Sequence, residues 1–298
     1  MTHTSYELVK ETPGMYRWTI RAGIQGAIIG VIGGGIGMFL VFLGEAMIDP
    51  EAPAKANPLG YVPLVLGALI ALLGAVGGLT AANRQLAGLV MVTDDVLHGR
   101  PVDESAAKEA AHSRLGALAA WSAISVAVGA LVSAIQGDGD SGIVVSIVRS
   151  LLAGLVAAVW AVVTTLVMPL IVLEHLGAVS AIKRSASIIR STWGEALAGG
   201  VRIGARFMLL YTLPGALLVV GGIVLVVALD GPSKGVGGII ALVGVVLMVV
   251  GLVKAATCKS VFGVALYRWA AGEGALGPFS EDDLRNAVRV SGSKVPVG

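Results

Sequence analysis

The sequence predicts an all-α protein: a polytopic transmembrane helical bundle of about six spans in three hairpins, with amphipathic helices on the cytoplasmic side. Three observations carry that expectation. The 298 residues have a mean hydropathy of +0.87, are 56% hydrophobic and are only 13% charged, where average soluble domains carry roughly 25% charged residues. Six stretches stay apolar over the ~20 residues that a helix needs to cross ~30 Å of hydrocarbon. The cations, finally, gather in alternate connections between those stretches.

The spans lie at about 23–48, 61–82, 115–135, 145–173, 207–229 and 236–257. Runs of this length must be helical, because lipid offers no partner to an unpaired backbone group. The first follows a polar stretch, MTHTSYELVKETPGMYRWTIRA, and is too long for the apolar segment of a cleaved leader. Three short turns, DPEAPAKANPLG, QGDGDSGI and DGPSKG, join the spans in pairs, using the Gly, Pro, Asp and Asn that turns favour. The remaining segments hold the cations: Lys10, Arg17 and Arg21; Arg84, Arg100, Lys108 and Arg114; Lys183, Arg184, Arg190, Arg202 and Arg206; and Lys259, Arg268, Arg285, Arg289 and Lys294. On the other side stand Lys55, Arg149 and Lys234. The positive-inside rule then places both termini in the cytoplasm, and the expected location is the cell inner (cytoplasmic) membrane. Residues 1–298 read as one integral membrane domain with a cytoplasmic tail at 258–298.

Each hairpin is followed by an amphipathic segment. After span two, Leu86, Leu89, Val90 and Leu97 share a face, with Arg84, Asp94, Asp95 and His98 turned away. After span six, Phe262, Ala265, Leu266 and Trp269 do the same. Between 174 and 198, the apolar stripe is Val179, Ile182, Ala186, Ile189, Trp193 and Leu197, flanked by Lys183 and Arg190, with Arg184 opposite. Such a helix suits the membrane interface, with Lys183, Arg184 and Arg190 at anionic headgroups and Trp193 at headgroup depth. Packing of the same stripe against the chain's own cytoplasmic ends is the competing and commoner expectation.

Within the spans, small residues line up. Gly26, Gly30, Gly33, Gly37 and Gly44 share one side of span one, a face for helix packing or self-association. Span two repeats the pattern with Gly67, Ala71, Gly74, Gly78 and Ala81, span four with Gly154, Ala158, Ala161 and Thr165, and span six with Gly237, Ala241, Gly244, Gly251 and Ala255. In lipid the hydrophobic effect does not draw helices together, so close approach at small residues takes over. On span three, Ser122, Ser125 and Ser133 have three uses open to them: a bond to a neighbouring helix, a bond to their own backbone, or a thin polar path.

Ionisable groups in hydrocarbon are functional suspects. Lys254 sits one turn from the cytoplasmic boundary, within snorkelling reach of the interface, and Glu45 and Arg149 stand near outer span ends, where they could pair. Pro169 and Pro214 are expected to kink spans four and five. His98 with Asp94 and Asp95 has metal-like spacing, but Gly99-Arg100-Pro101 predicts a helix terminus in water instead. Ser280 reads as the N-cap of a short helix through about Val290. No HExxH, GxSxG or Walker-type motif occurs, so no catalytic, cofactor or metal site is expected. The single cysteine, Cys258, excludes an internal disulfide, and sparse aromatics argue against nucleic-acid stacking.

Two segments, MPLIVLEHLGAVSAIKRSASIIRSTWGEAL at 168–197 and KSVFGVALYRWAAGEGALGPFSEDDL at 259–284, carry a resemblance. With Pro169, Glu174, Ile182-Lys183-Arg184-Ser185 and Thr192-Trp193-Gly194-Glu195, the chain resembles an uncharacterised bacterial family of six-span integral membrane proteins. It is more distantly similar to the membrane domain of glycerophosphodiester phosphodiesterases, of whose soluble catalytic domain there is no trace. The resemblance implies a membrane location and supplies no catalytic residues. The functional expectation is a structural, interaction or scaffolding membrane protein and not an enzyme. Its expected partners are membrane lipid with anionic headgroups, a second copy or another membrane protein, and no nucleic acid. The alternative is a transporter, channel or lipid-moving protein with a path near spans three to five.

Overall fold

Pro13 has no backbone N–H to continue a helix, and the chain breaks there. Helix α1 (Thr2–Glu11) ends before it and α2 (Gly14–Met47) starts after it. The computed structural model describes residues 2–48, 58–137, 143–193, 208–228 and 233–285, all of them in helices, turns or short connections. A 3₁₀ turn at Pro58–Gly60 leads into α3 (Tyr61–Leu97). Then come α4 (Glu104–Ser113), α5 (Leu115–Gln136), α6 (Ile143–Val163), α7 (Val167–Leu173) and α8 (Ala178–Trp193). A π turn at Met208–Thr212 opens α9 (Leu213–Ala228), followed by α10 (Ser233–Arg268), a π turn at Trp269–Glu273, and α11 (Glu281–Arg285). The chain is an all-α helical bundle, and among the described residues six helical segments are long and apolar enough to cross a membrane.

The helices differ from the expected spans chiefly in length. The polar N-terminal stretch is itself helical, and Met15, Trp18 and Ala22, ahead of the expected start of span one, are buried. The amphipathic segments after spans two and six are not separate helices. They are the last turns of α3 and α10: no Pro interrupts either segment, and the helices run on through the single glycines Gly88 and Gly263. Only the segment after span four forms a helix of its own. The short turns between paired spans, together with Lys55, Arg202, Arg206, Arg289 and Lys294, fall mostly or wholly outside the described residues.

The chain divides into two compact units. One comprises Met1–Thr19, Val92–Val102 and Ser187–Gly298. In it α1 packs on α10, Val9, Met15, Val261, Phe262 and Leu284 are sealed from solvent, and Phe262 meets Phe279 edge-on at 6.2 Å. The other comprises Ile20–Met91 and Asp103–Ala186, with Leu89, Leu118, Leu166, Leu170 and Ile171 at its centre. In both, the buried residues cluster toward the polar ends of the helices. The mid-span residues (Val31, Phe39, Phe42, Leu73, Leu151, Leu155, Val227, Leu242 and others) are exposed, which is the surface a bilayer covers.

Glycine closes two of the three hairpins. A Cβ placed on Gly33 would come within 2.4 Å of the Gly74 Cα, and one on Gly37 within 2.6 Å of both Ala71 and the Gly67 carbonyl. Gly26 faces Gly78 and Ala82, and Gly44 faces Leu64 and Gly60. The hairpin of α9 and α10 has the same register. On α3, Gly67 abuts the Gly37 carbonyl, the Val41 N–H and Leu40. On α10, Gly237 abuts the Gly222 carbonyl, the Val226 N–H and Leu225. Between them, α5 and α6 meet differently, through stacked Trp121 and Trp160 rings 5.6 Å apart.

Just ahead of Pro169, at 164–166, the span breaks into α6 and α7, and hydroxyls bond to carbonyls around the break. Thr164 donates to Trp160 O and Thr165 to Ala161 O. Ser185, from α8, donates to Val163 O.

Candidate functional site

Among the described residues, a dense set of charged side chains lies where α3 and α10 end. Helix α3 closes in a Schellman turn: Gly99 takes φ +65°, its N–H donates to Val96 O, and the Arg100 N–H donates to Asp95 O. That turn folds Arg100 back over the helix end. Its Nη2 donates to Asp94 Oδ2 at 2.7 Å and its Nε to Asp95 Oδ1 at 2.9 Å. The two carboxylates raise the Arg100 pKa above its usual value. From α10, Arg268 donates to both Asp94 oxygens, at 2.6 and 2.9 Å, the bidentate geometry that makes such pairs strong. The π turn and the positive φ of Gly272 and Gly274 bring Glu273 back toward its own helix. There Glu273 accepts from Arg268 at 2.6 Å and lies 3.0 Å from His98 Nε2. The Asp94 side chain is only 4% exposed.

This corrects the expectation that Asp94 turns toward water. His98 does stand at the helix end, with Nδ1 2.8 Å from the Asp94 carbonyl. Two guanidiniums occupy the carboxylate oxygens that a cation would need. Among the described residues, no group of three His, Cys, Asp or Glu is arranged to hold a metal. Just beyond, Asp103 caps α4, accepting from the Ser105 and Ala106 N–H groups and the Ser105 hydroxyl. The Ser105 hydroxyl and these N–H groups hold its carboxyl below the ordinary value. The cap is therefore at full strength above the ordinary aspartate pKa and is lost as pH falls through the lower folded value.

A second cation is held by phenols. Lys254 Nζ donates to the Tyr211 hydroxyl at 3.0 Å and lies 4.8 Å from the Tyr211 ring centroid and 5.5 Å from that of Tyr6. Nearby, the Thr19 and Thr257 hydroxyls share a buried hydrogen bond of 2.7 Å. Lys254 lies within α10, and the sequence could not name its partners 43 and 248 positions away.

On α8, Lys183, Arg184 and Arg190 are exposed, and Arg184 lies 3.9 Å from Glu174. The buried face is Ala178, Ala181, Ser185, Ile188 and Ile189, while Val179 is 56% exposed. That face is rotated from the expected stripe, because the Ser185 hydroxyl is drawn to the Val163 carbonyl. The side chain of Trp193 and residues 194–197 lie outside the described residues. Ser122 accepts from Asn83 at 3.0 Å and donates to Leu118 O, and Ser125 donates to Trp121 O, so these two serines use helix and backbone partners. The Arg149 guanidinium lies by Gly137 at the end of α5, where helix carbonyls favour a cation; Glu45 is exposed. Gly154, Ala158 and Ala161 of span four are also exposed.

Finally, an apolar groove of about 730 Å³ runs between α2, α3 and α5, lined at one end by Gln25, Thr80 and Arg84 and elsewhere by apolar side chains.

Six apolar spans, glycine-closed hairpins and a lipid-exposed midsection define a multi-pass helical membrane protein. Over residues 79–277 the chain matches a family of unknown function (DUF6159), and it belongs to that family. The matched stretch holds both ends of the Asp94 cluster. Comparison with curated proteins finds no match, the membrane domains of phosphodiesterases included, and comparison with solved structures finds none either.

Proposed function

We propose that the protein is a structural or interaction component of the bacterial inner membrane, with both termini in the cytoplasm. It acts through contacts with anionic lipid and with a second copy or another membrane protein, not by catalysis and not on nucleic acid. The observation that carries the reading is α8. One face, from Ala178 to Ile189, is buried against the chain, while Lys183, Arg184 and Arg190 stand exposed, suited to lipid phosphates at the interface. The glycine contacts support a static role, since hairpins packed backbone to backbone leave no route between their own helices. Span three supports it too, with Ser122 and Ser125 bonded to helix and backbone.

The test is reconstitution into nanodiscs from equimolar phosphatidylglycerol and phosphatidylcholine. Wild-type protein should enrich phosphatidylglycerol around itself. Replacing Lys183, Arg184 and Arg190 together by Gln should abolish most of that enrichment, each cation near an anionic surface being worth about 1 kcal/mol. Unchanged enrichment would leave α8 as a packing helix alone. In liposomes, protein-dependent movement of solute or lipid down a gradient would overturn the static reading in favour of a transporter.

A further inference from the structure

We propose that the groove between α2, α3 and α5 seats one acyl chain of an anionic phospholipid, with the phosphate of that lipid on Arg84. Its floor is made of small residues, Gly77, Ala81 and Ala119, and its walls of Ile28, Leu73 and Leu115. Ile28 and Leu73 are 53% and 69% exposed, so the groove opens sideways, where lipid lies. A smaller hollow of about 340 Å³ continues it along α3 as far as Ile70, sharing Ile29 and Leu73. From Arg84 to Ile70 the groove follows α3 for about 21 Å at 1.5 Å per residue. That is about half the 40–45 Å thickness of a bilayer with its headgroups, the depth of one lipid molecule.

Charge complementarity selects the headgroup. Arg84 Nη2 is 3.3 Å from the Gln25 side-chain oxygen, which also accepts from Gln85 at 2.8 Å. An amide oxygen does not neutralise a guanidinium. Among the described residues, no carboxylate lies within ion-pair distance of Arg84. Arg84 stands seventeen residues after Gly67, and Lys254 seventeen after Gly237, so the shared register makes the two cations equivalent. Both have neutral partners among the described residues, but Lys254 is flanked by the Tyr211 and Tyr6 rings, whereas Arg84 lines the end of an apolar groove.

The proposal rests on the membrane placement above but not on α8, and the test separates them. Delipidated protein in detergent is titrated with palmitoyl-oleoyl phosphatidylglycerol or phosphatidylcholine, and retained lipid is counted by native mass spectrometry. Wild type should retain phosphatidylglycerol about fivefold better, the preference one cation confers at an anionic headgroup. Arg84→Gln should retain both lipids within twofold of each other, and Arg84→Lys should keep the preference. Gly77→Leu should lose both lipids: a Cβ there meets only Ile29, at 3.4 Å, so the larger side chain fills the groove without separating the helices. The Lys183/Arg184/Arg190→Gln variant should keep the preference, whatever becomes of the α8 reading. Equal retention of the two lipids by wild type, or undiminished retention by Gly77→Leu, overturns the proposal. So does a Gly77→Leu variant that loses a dimer and keeps its lipid, which would assign the groove to a second copy. Should Arg84→Gln fail to fold, judged by its melting profile, Gly77→Leu and Arg84→Lys still decide the matter.

Discussion

Asp94 sits at the centre of the charged cluster where α3 and α10 end. Its carboxylate is nearly sealed from solvent and accepts from Arg268 on both oxygens and from Arg100 on one. Breaking a buried pair costs about 3–5 kcal/mol, because the surviving charge stays behind unpaired. Asp94→Asn is therefore expected to destabilise the protein by about 3 kcal/mol. Arg100→Gln, whose side chain is 48% exposed, should cost at most about 1 kcal/mol. Unfolding in mixed micelles would measure both, and equal losses would show that the Arg268 contact is not the dominant one. Little of this was legible in the sequence. The Gly99 stop signal was, being local, but Asp94 falls on what looks like a polar helix face, and Arg268 lies 174 positions away. No helical periodicity reports a partner at that separation.

At the scale of the helix, the glycine stripe of span one is not uniform. A methyl on Gly37 would meet Ala71 and Gly67 at 2.6 Å, whereas one on Gly30 meets nothing within 4 Å. Gly37→Ala should thus destabilise by about 1–3 kcal/mol through overpacking. Gly30→Ala should be neutral or gain up to about 1 kcal/mol from the lower entropy of alanine in a helix. The same micelle assay decides it, and equal effects at the two positions would deny the register described. The stripe itself was visible in the sequence, since small residues at spacings of three, four and seven announce close approach. So was the matching stripe on span two, but the partners of span six's stripe were not. Gly215 and Gly222, which close the third hairpin, are two of three glycines on a helix of Val and Leu. The face of α8 was misjudged because hydrophobicity alone points to Val179, whereas a hydrogen bond from Ser185 decides the rotation.

For the whole molecule, six spans were legible because length and apolarity are properties of contiguous sequence. Their true ends were less so, being set by packing outside the hydrocarbon. Orientation is tested by labelling. Cys258 is fully buried and silent as a probe, so Glu109→Cys and Leu59→Cys, both at exposed positions, serve instead. In intact cells with a permeabilised outer membrane, an impermeant maleimide should label the variant at position 59 and spare that at 109. The reverse pattern would invert the topology.

The glycine register has a consequence for how the protein meets membranes of unequal thickness. Helix α3 is 37 residues long and α10 is 36, each about 54–56 Å at 1.5 Å per residue, well beyond ~30 Å of hydrocarbon. Separate helices could adapt to a thicker or thinner bilayer by sliding past one another. Where Gly33 sits on Gly74, and Gly222 on Gly237 and Ala241, a slide of even one residue would drive side chains into backbone. Each hairpin must therefore answer a mismatch by leaning as a single stiff board, or by making the lipid around it stretch or thin.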